Sequence, residues 1–182
     1  MVTPRLETLC TALAQVLIAR KLSMVTAESC TGGLIAASCT QLSGSSAWFE
    51  RGFVTYSNAA KSELLGVAAS LIEAQGAVSE EVAKAMALGA LAHSPAHISV
   101  AVTGIAGPSG GSAAKPVGTV WLAWAWRDLQ QNLHSETMLR QFEGTRSEVR
   151  DSTAELALAH LTELVEKLVG KLLETTGKKI PT

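Results

Sequence analysis

Apolar residues near the start of the chain recur at helical spacing. Leu6, Leu9, Leu13, Val16 and Leu17 share one face, which predicts an amphipathic helix from about Pro4 to Ala19. The short run Ser23-Met24-Val25-Thr26 reads as a buried strand, and Leu34 to Ala37 with Leu42 read as the apolar face of a second helix. Phe49 through Tyr56 predicts a second strand, with β-favouring bulk at Phe53 and Val54. Ser57 or Asn58 then caps a short helix that runs to Leu65 and stops at Gly66. Ser79 followed by Glu80 and Glu81 opens an Ala-rich helix through Leu91, because a hydroxyl cap and first-turn acids suit a helix N-terminus.

Ile98 to Val102 is a third strand and feeds the glycine-rich stretch Thr103 to Gly111. Thr119–Trp126 and Leu133–Phe142 are strand-like runs separated by a short polar stretch, which predicts an antiparallel hairpin. Thr145-Arg146-Ser147-Glu148 is a capping box, and Leu156, Leu161, Leu164, Val165 and Leu168 carry a long closing helix. Strands alternating with helices first, and a hairpin later, predict an α/β protein. The expected architecture is a three-layer α/β/α sandwich on a mixed, mostly parallel sheet with a C-terminal antiparallel hairpin. One domain over residues 1–169 is expected, followed by a Lys-rich, fraying tail over 170–182.

Composition narrows the function. The 182 residues carry a formal net charge of -1 with Lys and Arg scattered, so the basic stripe of a nucleic-acid binder is missing. No apolar run is long enough to span a bilayer and no cationic leader opens the chain, so a cytoplasmic protein is expected. Cys10, Cys30 and Cys39 are odd in number and lack C-x-x-C spacing, which argues for reduced thiols over disulfides or zinc. His93 and His97 have ligand-like spacing, but Pro95 between them breaks the helix that spacing would need. Those two, with His134 and His160, read as structural or surface residues, and no metal or cofactor is expected. Trp121, Trp124 and Trp126 fall on both faces of one strand, which fits a central strand or a subunit interface better than a base-stacking platform.

In an open α/β sheet, ligands bind where loops leave the carboxyl ends of the strands. Three such exits carry unusual chemistry and should converge on one cleft. At the first, Ala27-Glu28-Ser29-Cys30-Thr31-Gly32-Gly33 places a serine where a strand turns into a helix. There, main-chain N–H groups are available to a phosphate or a developing oxyanion. Ser29 and Thr31 are equally acceptable as simple helix caps. At the second, Tyr56-Ser57-Asn58-Ala59-Ala60-Lys61 puts a lysine in the first turn of a helix, where the macrodipole and partial burial lower its pKa. A neutral Lys61 can serve as general base for Ser29, with Tyr56 orienting the amine or relaying the proton. A solvated lysine on an exposed helix is the competing reading.

The third exit, Thr103 to Gly111, offers main-chain N–H groups to an anion or is a wide, empty turn. It lacks G-K-[ST] and is no Walker A loop. Ser112-Ala113-Ala114-Lys115 spells S-x-x-K, but in a glycine-rich loop before Pro116 rather than on a helix, so the match is set aside. Arg146 and Arg150, one helical turn apart, together can bind a phosphate.

Taken together, the Ser29 and Tyr56–Lys61 segments, Gly76-Ala77-Val78-Ser79, Thr103 to Pro108, and Lys115-Pro116-Val117-Gly118-Thr119-Val120 closely resemble the CinA C-terminal domain family. The match spans nearly the whole chain, and the family includes nicotinamide-nucleotide amidases that convert nicotinamide mononucleotide to nicotinate mononucleotide and ammonia. The resemblance implies a Ser/Lys amidase with Ser29 as nucleophile, Lys61 as base and Tyr56 as assistant. It also implies an α/β/α fold, no metal and a homo-oligomer, often a dimer. Thr31, Gly32 and Gly33 are expected at the oxyanion, and Asn58, Thr103, Gly104, Ala106, Gly107 and Arg146 around a small nucleotide substrate. Longer relatives carry an N-terminal domain associated with pyrophosphatase activity, and that activity is not expected of these 182 residues. Competing readings are a Ser/Lys hydrolase of another small amide and a silent nucleotide-binding relative. A cysteine hydrolase built on Cys30 lacks a histidine partner in these motifs.

Overall fold

A computed structural model describes residues 2–128 and 130–176. In chain order the elements are α1 (Pro4–Ala19), β1 (Met24–Glu28), α2 (Leu34–Thr40) and β2 (Phe49–Val54). There follow α3 (Asn58–Leu65), α4 (Ala69–Gln75), α5 (Glu80–Ala92), β3 (Ile98–Gly104), β4 (Thr119–Arg127), β5 (Leu133–Gln141) and α6 (Arg146–Thr176). The five strands form one sheet in the order β2-β1-β3-β4-β5. β1 runs parallel to both β2 and β3, whereas β3–β4 and β4–β5 are antiparallel, so the sheet is mixed, with its parallel half at β1.

Alternation along the strands sorts side chains into two cores. Met24, Ile98, Val100, Val102, Val120, Leu122 and Trp124 face one side and pack with Leu6, Leu13 and Leu17 of α1, Ile35 of α2 and Leu158 and Leu161 of α6. Val25, Ala27, Ala101, Ala123 and Ala125 face the other side, against Leu65 of α3, Ile72 of α4 and Val82, Met86 and Leu91 of α5. This is the expected α/β/α sandwich. Small residues on the second face let α5 lie close to the sheet. Trp124 sits in the first core and donates its indole N–H to the Ala157 carbonyl at 3.1 Å, so its polar edge is satisfied without solvent.

Local signals explain most boundaries. The Ser57 hydroxyl caps α3 and Gly66, at φ 68°, ends it. Ser79 caps α5, and Thr145 with Glu148 closes the capping box of α6. Several boundaries depart from expectation, β1 among them, since it runs past Thr26 to Glu28. β3 continues through Gly104 because Thr103 and Gly104 pair with Trp121 and Val120. β2 stops at Val54, two residues before Tyr56, and α4 was not anticipated at all. Only Ile72 of α4 is buried, so it lacks a clear apolar stripe. α6 continues past residue 169 to Thr176, while positions 177–182 of the expected tail lie outside the described residues. No helix among the described residues is long and apolar enough to cross a membrane.

Candidate active site

The carboxyl ends of the three parallel strands deliver the three unusual segments to one place. Ser29 follows β1, Thr55 and Tyr56 follow β2, and Gly104 ends β3. There a cleft of about 230 Å³ is lined by Ser29, Cys30, Tyr56, Asn58, Lys61, Ala77, Val78, Thr103, Gly104, Ala106 and Arg146. The cleft thus collects Ser29, Tyr56, Asn58, Lys61, Thr103, Gly104, Ala106 and Arg146 from the sequence-based set.

At its floor Lys61 is buried, with 1% of its surface exposed. Its Nζ donates to Ser29 Oγ at 3.1 Å, to the Thr55 carbonyl at 2.9 Å and to the Tyr56 carbonyl at 3.4 Å. No carboxylate among the described residues pairs with it. Burial therefore pushes its pKa below the ordinary lysine value of 10.5. In the neutral amine, two N–H bonds given to the two carbonyls leave the lone pair as the group able to take the Ser29 hydroxyl proton across the same 3.1 Å contact. Lys61 is neither a solvated surface lysine nor one held charged by a partner.

The turn after β1 corrects an expectation about the free N–H groups. Glu28 is fully buried, and its carboxylate receives the N–H groups of Gly33 (3.0 Å), Ile35 (3.0 Å) and Ala36 (2.8 Å) and the Thr31 hydroxyl (2.7 Å). The start of α2 is thereby capped from below by an acid, and neither Ser29 nor Thr31 caps it. Gly32 N–H is spent on the Ser29 carbonyl at 3.1 Å. Gly32 and Gly33, both at positive φ, shape the turn, but their N–H groups are not open to a substrate, and neither residue nor Thr31 lines the cleft. The unspent N–H groups of the turn are those of Cys30 and Thr31, which have no oxygen acceptor within the described chain.

Two arginines divide differently from the sequence reading. Arg150 Nη2 and Nε donate to the Thr31 carbonyl at 2.7 and 3.3 Å, so Arg150 is committed to the turn and is not paired with Arg146 over a ligand. Arg146 stays on the cleft rim, where Nη1 donates to the Gly107 carbonyl and Nη2 to the Tyr56 hydroxyl. Gly107 accordingly contributes a carbonyl to the rim and does not line the cleft. Tyr56 is 63% exposed, and its phenol meets Arg146; only its main-chain carbonyl reaches Lys61. The phenol makes no hydrogen bond to the amine because β2 ends before Tyr56 and turns that side chain toward the rim.

Cys30, Ala77 and Val78 line the cleft without having been singled out as contacts; the signal available for the last two was the Gly76–Ser79 motif. The Cys30 thiol is pushed up to about 12, chiefly by burial and against the pull of the Cys30 and Thr31 N–H groups, so it makes a poor nucleophile at neutral pH. The histidines are engaged elsewhere: His93 with the Gly89 carbonyl, His97 with Ser23, His134 with Asp128 and His160 with Glu136.

The fold and the cleft define an α/β protein with a buried serine–lysine pair at the carboxyl end of a parallel strand. The family model for the CinA C-terminal domain matches residues 6–165, and the chain belongs to that family. It is 53% identical over 154 residues to the nicotinamide-nucleotide amidohydrolase PncC of Enterobacter agglomerans, covering 85% of this chain and 92% of that one. It is 52% identical over 159 residues to the enzyme of the same name from Pseudomonas putida, covering 87% and 96%. Among solved structures, competence/damage inducible protein CihA from Agrobacterium tumefaciens superposes with a TM-score of 0.81 at 43% identity, covering 93% of this chain and 98% of that one.

Proposed function

We propose that this chain is a nicotinamide-nucleotide amidase that hydrolyses the carboxamide of nicotinamide mononucleotide to nicotinate mononucleotide and ammonia. The observation that carries the mechanism is the buried Lys61 amine, 3.1 Å from Ser29 Oγ, with two carbonyls and no carboxylate as its other partners. The relatives of that activity, alike over most of both chains, support the substrate.

In this mechanism neutral Lys61 takes the Ser29 proton as Oγ attacks the carboxamide carbon. Negative charge gathers on the carboxamide oxygen, and the unspent N–H groups of Cys30 and Thr31 receive it. The C–N bond then breaks, with the proton on Lys61 passing to the leaving nitrogen, which departs as ammonia. Water attacks the Ser29 ester, Lys61 accepts a water proton, and that proton returns to Oγ as nicotinate mononucleotide leaves. The Thr55 and Tyr56 carbonyls hold the amine in place throughout. Arg146, with guanidinium donors to spare on the rim, meets the ribose phosphate.

The test is ammonia and nicotinate mononucleotide release from nicotinamide mononucleotide, without added metal, by wild type, Ser29→Ala and Lys61→Ala. Turnover in wild type and its loss in both variants is the expected result. A wild type that releases no ammonia overturns the substrate, and an active Ser29→Ala overturns the nucleophile.

A further inference from the structure

The loop between β3 and β4 holds a lysine that the mechanism does not use. Lys115, half-buried, donates Nζ to the Val78 carbonyl at 2.7 Å and to the Gln75 carbonyl at 3.2 Å. The two carbonyls between these are also occupied: the Ser79 hydroxyl donates to Gly76 O at 2.9 Å and the Thr103 hydroxyl to Ala77 O at 2.8 Å. Four consecutive carbonyls of the segment joining α4 to α5 are therefore fastened by side chains.

A trans peptide is planar, so each N–H points opposite the carbonyl of the preceding residue. Engaging the Gly76 and Ala77 carbonyls turns the Ala77 and Val78 N–H groups the other way. Neither N–H has an acceptor within the described chain, and both residues line the cleft that holds Ser29 and Lys61. Without Lys115 the segment would keep only the Ser79 and Thr103 tethers and would lose those at both its ends.

We propose that Lys115 is a positioning residue for substrate: by gripping the Gln75 and Val78 carbonyls it holds both ends of the segment whose Ala77 and Val78 N–H groups, turned by the Ser79 and Thr103 hydroxyls, meet acceptor oxygens of the bound nucleotide. This rests on the amidase reading of the cleft. It assigns the S-x-x-K lysine a task unrelated to that spelling, since Nζ is spent on carbonyls across the fold and not on Ser112.

The experiment is steady-state hydrolysis of nicotinamide mononucleotide by wild type, Lys115→Met and Lys115→Arg across pH. Beside it runs calorimetric binding of the same nucleotide to Ser29→Ala with and without Lys115→Met. Lys115→Met is expected to raise KM and weaken calorimetric binding about tenfold, the effect of losing charge-assisted hydrogen bonds that hold a binding wall. The expected kcat stays within about twofold, the pH profile keeps its midpoint, and Lys115→Arg recovers part of the affinity. An unchanged KM, or a fall in kcat at constant KM, overturns the proposal. If Lys115→Met melts early, Thr103→Val releases the Ala77 carbonyl of the same wall. It must then raise KM, and an unchanged KM there is equally fatal. A wild type without turnover defeats the amidase reading alone. Calorimetry then decides Lys115, with weaker binding in Lys115→Met supporting it and equal or absent binding overturning it.

Discussion

Lys61 Nζ lies 3.1 Å from Ser29 Oγ although the two residues are 32 positions apart, and the contact is buried. Burial holds the amine below the ordinary lysine value of 10.5, and the base works in its deprotonated form. Activity is therefore lost as pH falls through the folded-state pKa, and kcat/KM should rise with pH along a limb whose midpoint lies below 10.5. A pH–rate profile of wild type checks this, and a limb centred at or above 10.5 contradicts it. The same shift acts on stability. Between the folded-state pKa and 10.5 the unfolded chain carries the Lys61 proton and the folded chain does not, so stability rises with pH there. Urea denaturation should show wild type gaining on Lys61→Met through that window.

Glu28 is a second buried ionisable group, but its four hydrogen bonds all serve the fold. Glu28→Ala strips the cap from α2 and leaves the buried Ile35 N–H and Thr31 hydroxyl, with the half-buried N–H groups of Gly33 and Ala36, without an acceptor. A loss of about 2–4 kcal/mol is expected from urea midpoints at constant m. A loss below about 1 kcal/mol would show that water replaces the carboxylate.

Arg150 holds the carbonyl of Thr31, and the N–H groups assigned to the oxyanion belong to the same turn. Arg150→Ala should lower kcat about tenfold with a smaller change in KM, because the turn matters most when charge develops. Arg150→Lys, with one point charge in place of the fork, should recover only part. A rise in KM alone would instead place Arg150 in substrate binding.

Gly89 lies where α5 crosses α3. A Cβ built there would stand 2.1 Å from the Leu65 carbonyl oxygen, a backbone atom that cannot swing aside. Gly89→Ala should cost about 1–3 kcal/mol, even though alanine is the better helix former. Thermal melting checks the sign: a variant as stable as wild type would mean that α3 moves away freely.

Sequence determined a good part of this protein. Helical spacing at Leu6 to Leu17, the Ser57 and Ser79 caps and the Thr145–Glu148 box are interactions within a few residues, so they are written locally. So is alternation on the hairpin strands, whose partners are neighbours in the chain. The motifs at Ser29, Tyr56–Lys61 and Thr103–Gly107 were legible as strand exits, and the sheet brings those exits together. What stayed hidden was how each polar group is spent. Glu28 takes the N–H groups of Gly33, Ile35 and Ala36, and Arg150 crosses 119 residues to the Thr31 carbonyl. The Tyr56 phenol goes to Arg146, and Lys115 reaches Gln75 and Val78. A donor has few bonds to give, and which acceptor it meets depends on distances that exist only once the layers have packed. The residue types that can do the chemistry are a property of the chain, whereas the groups left unspent to do it are a property of the fold.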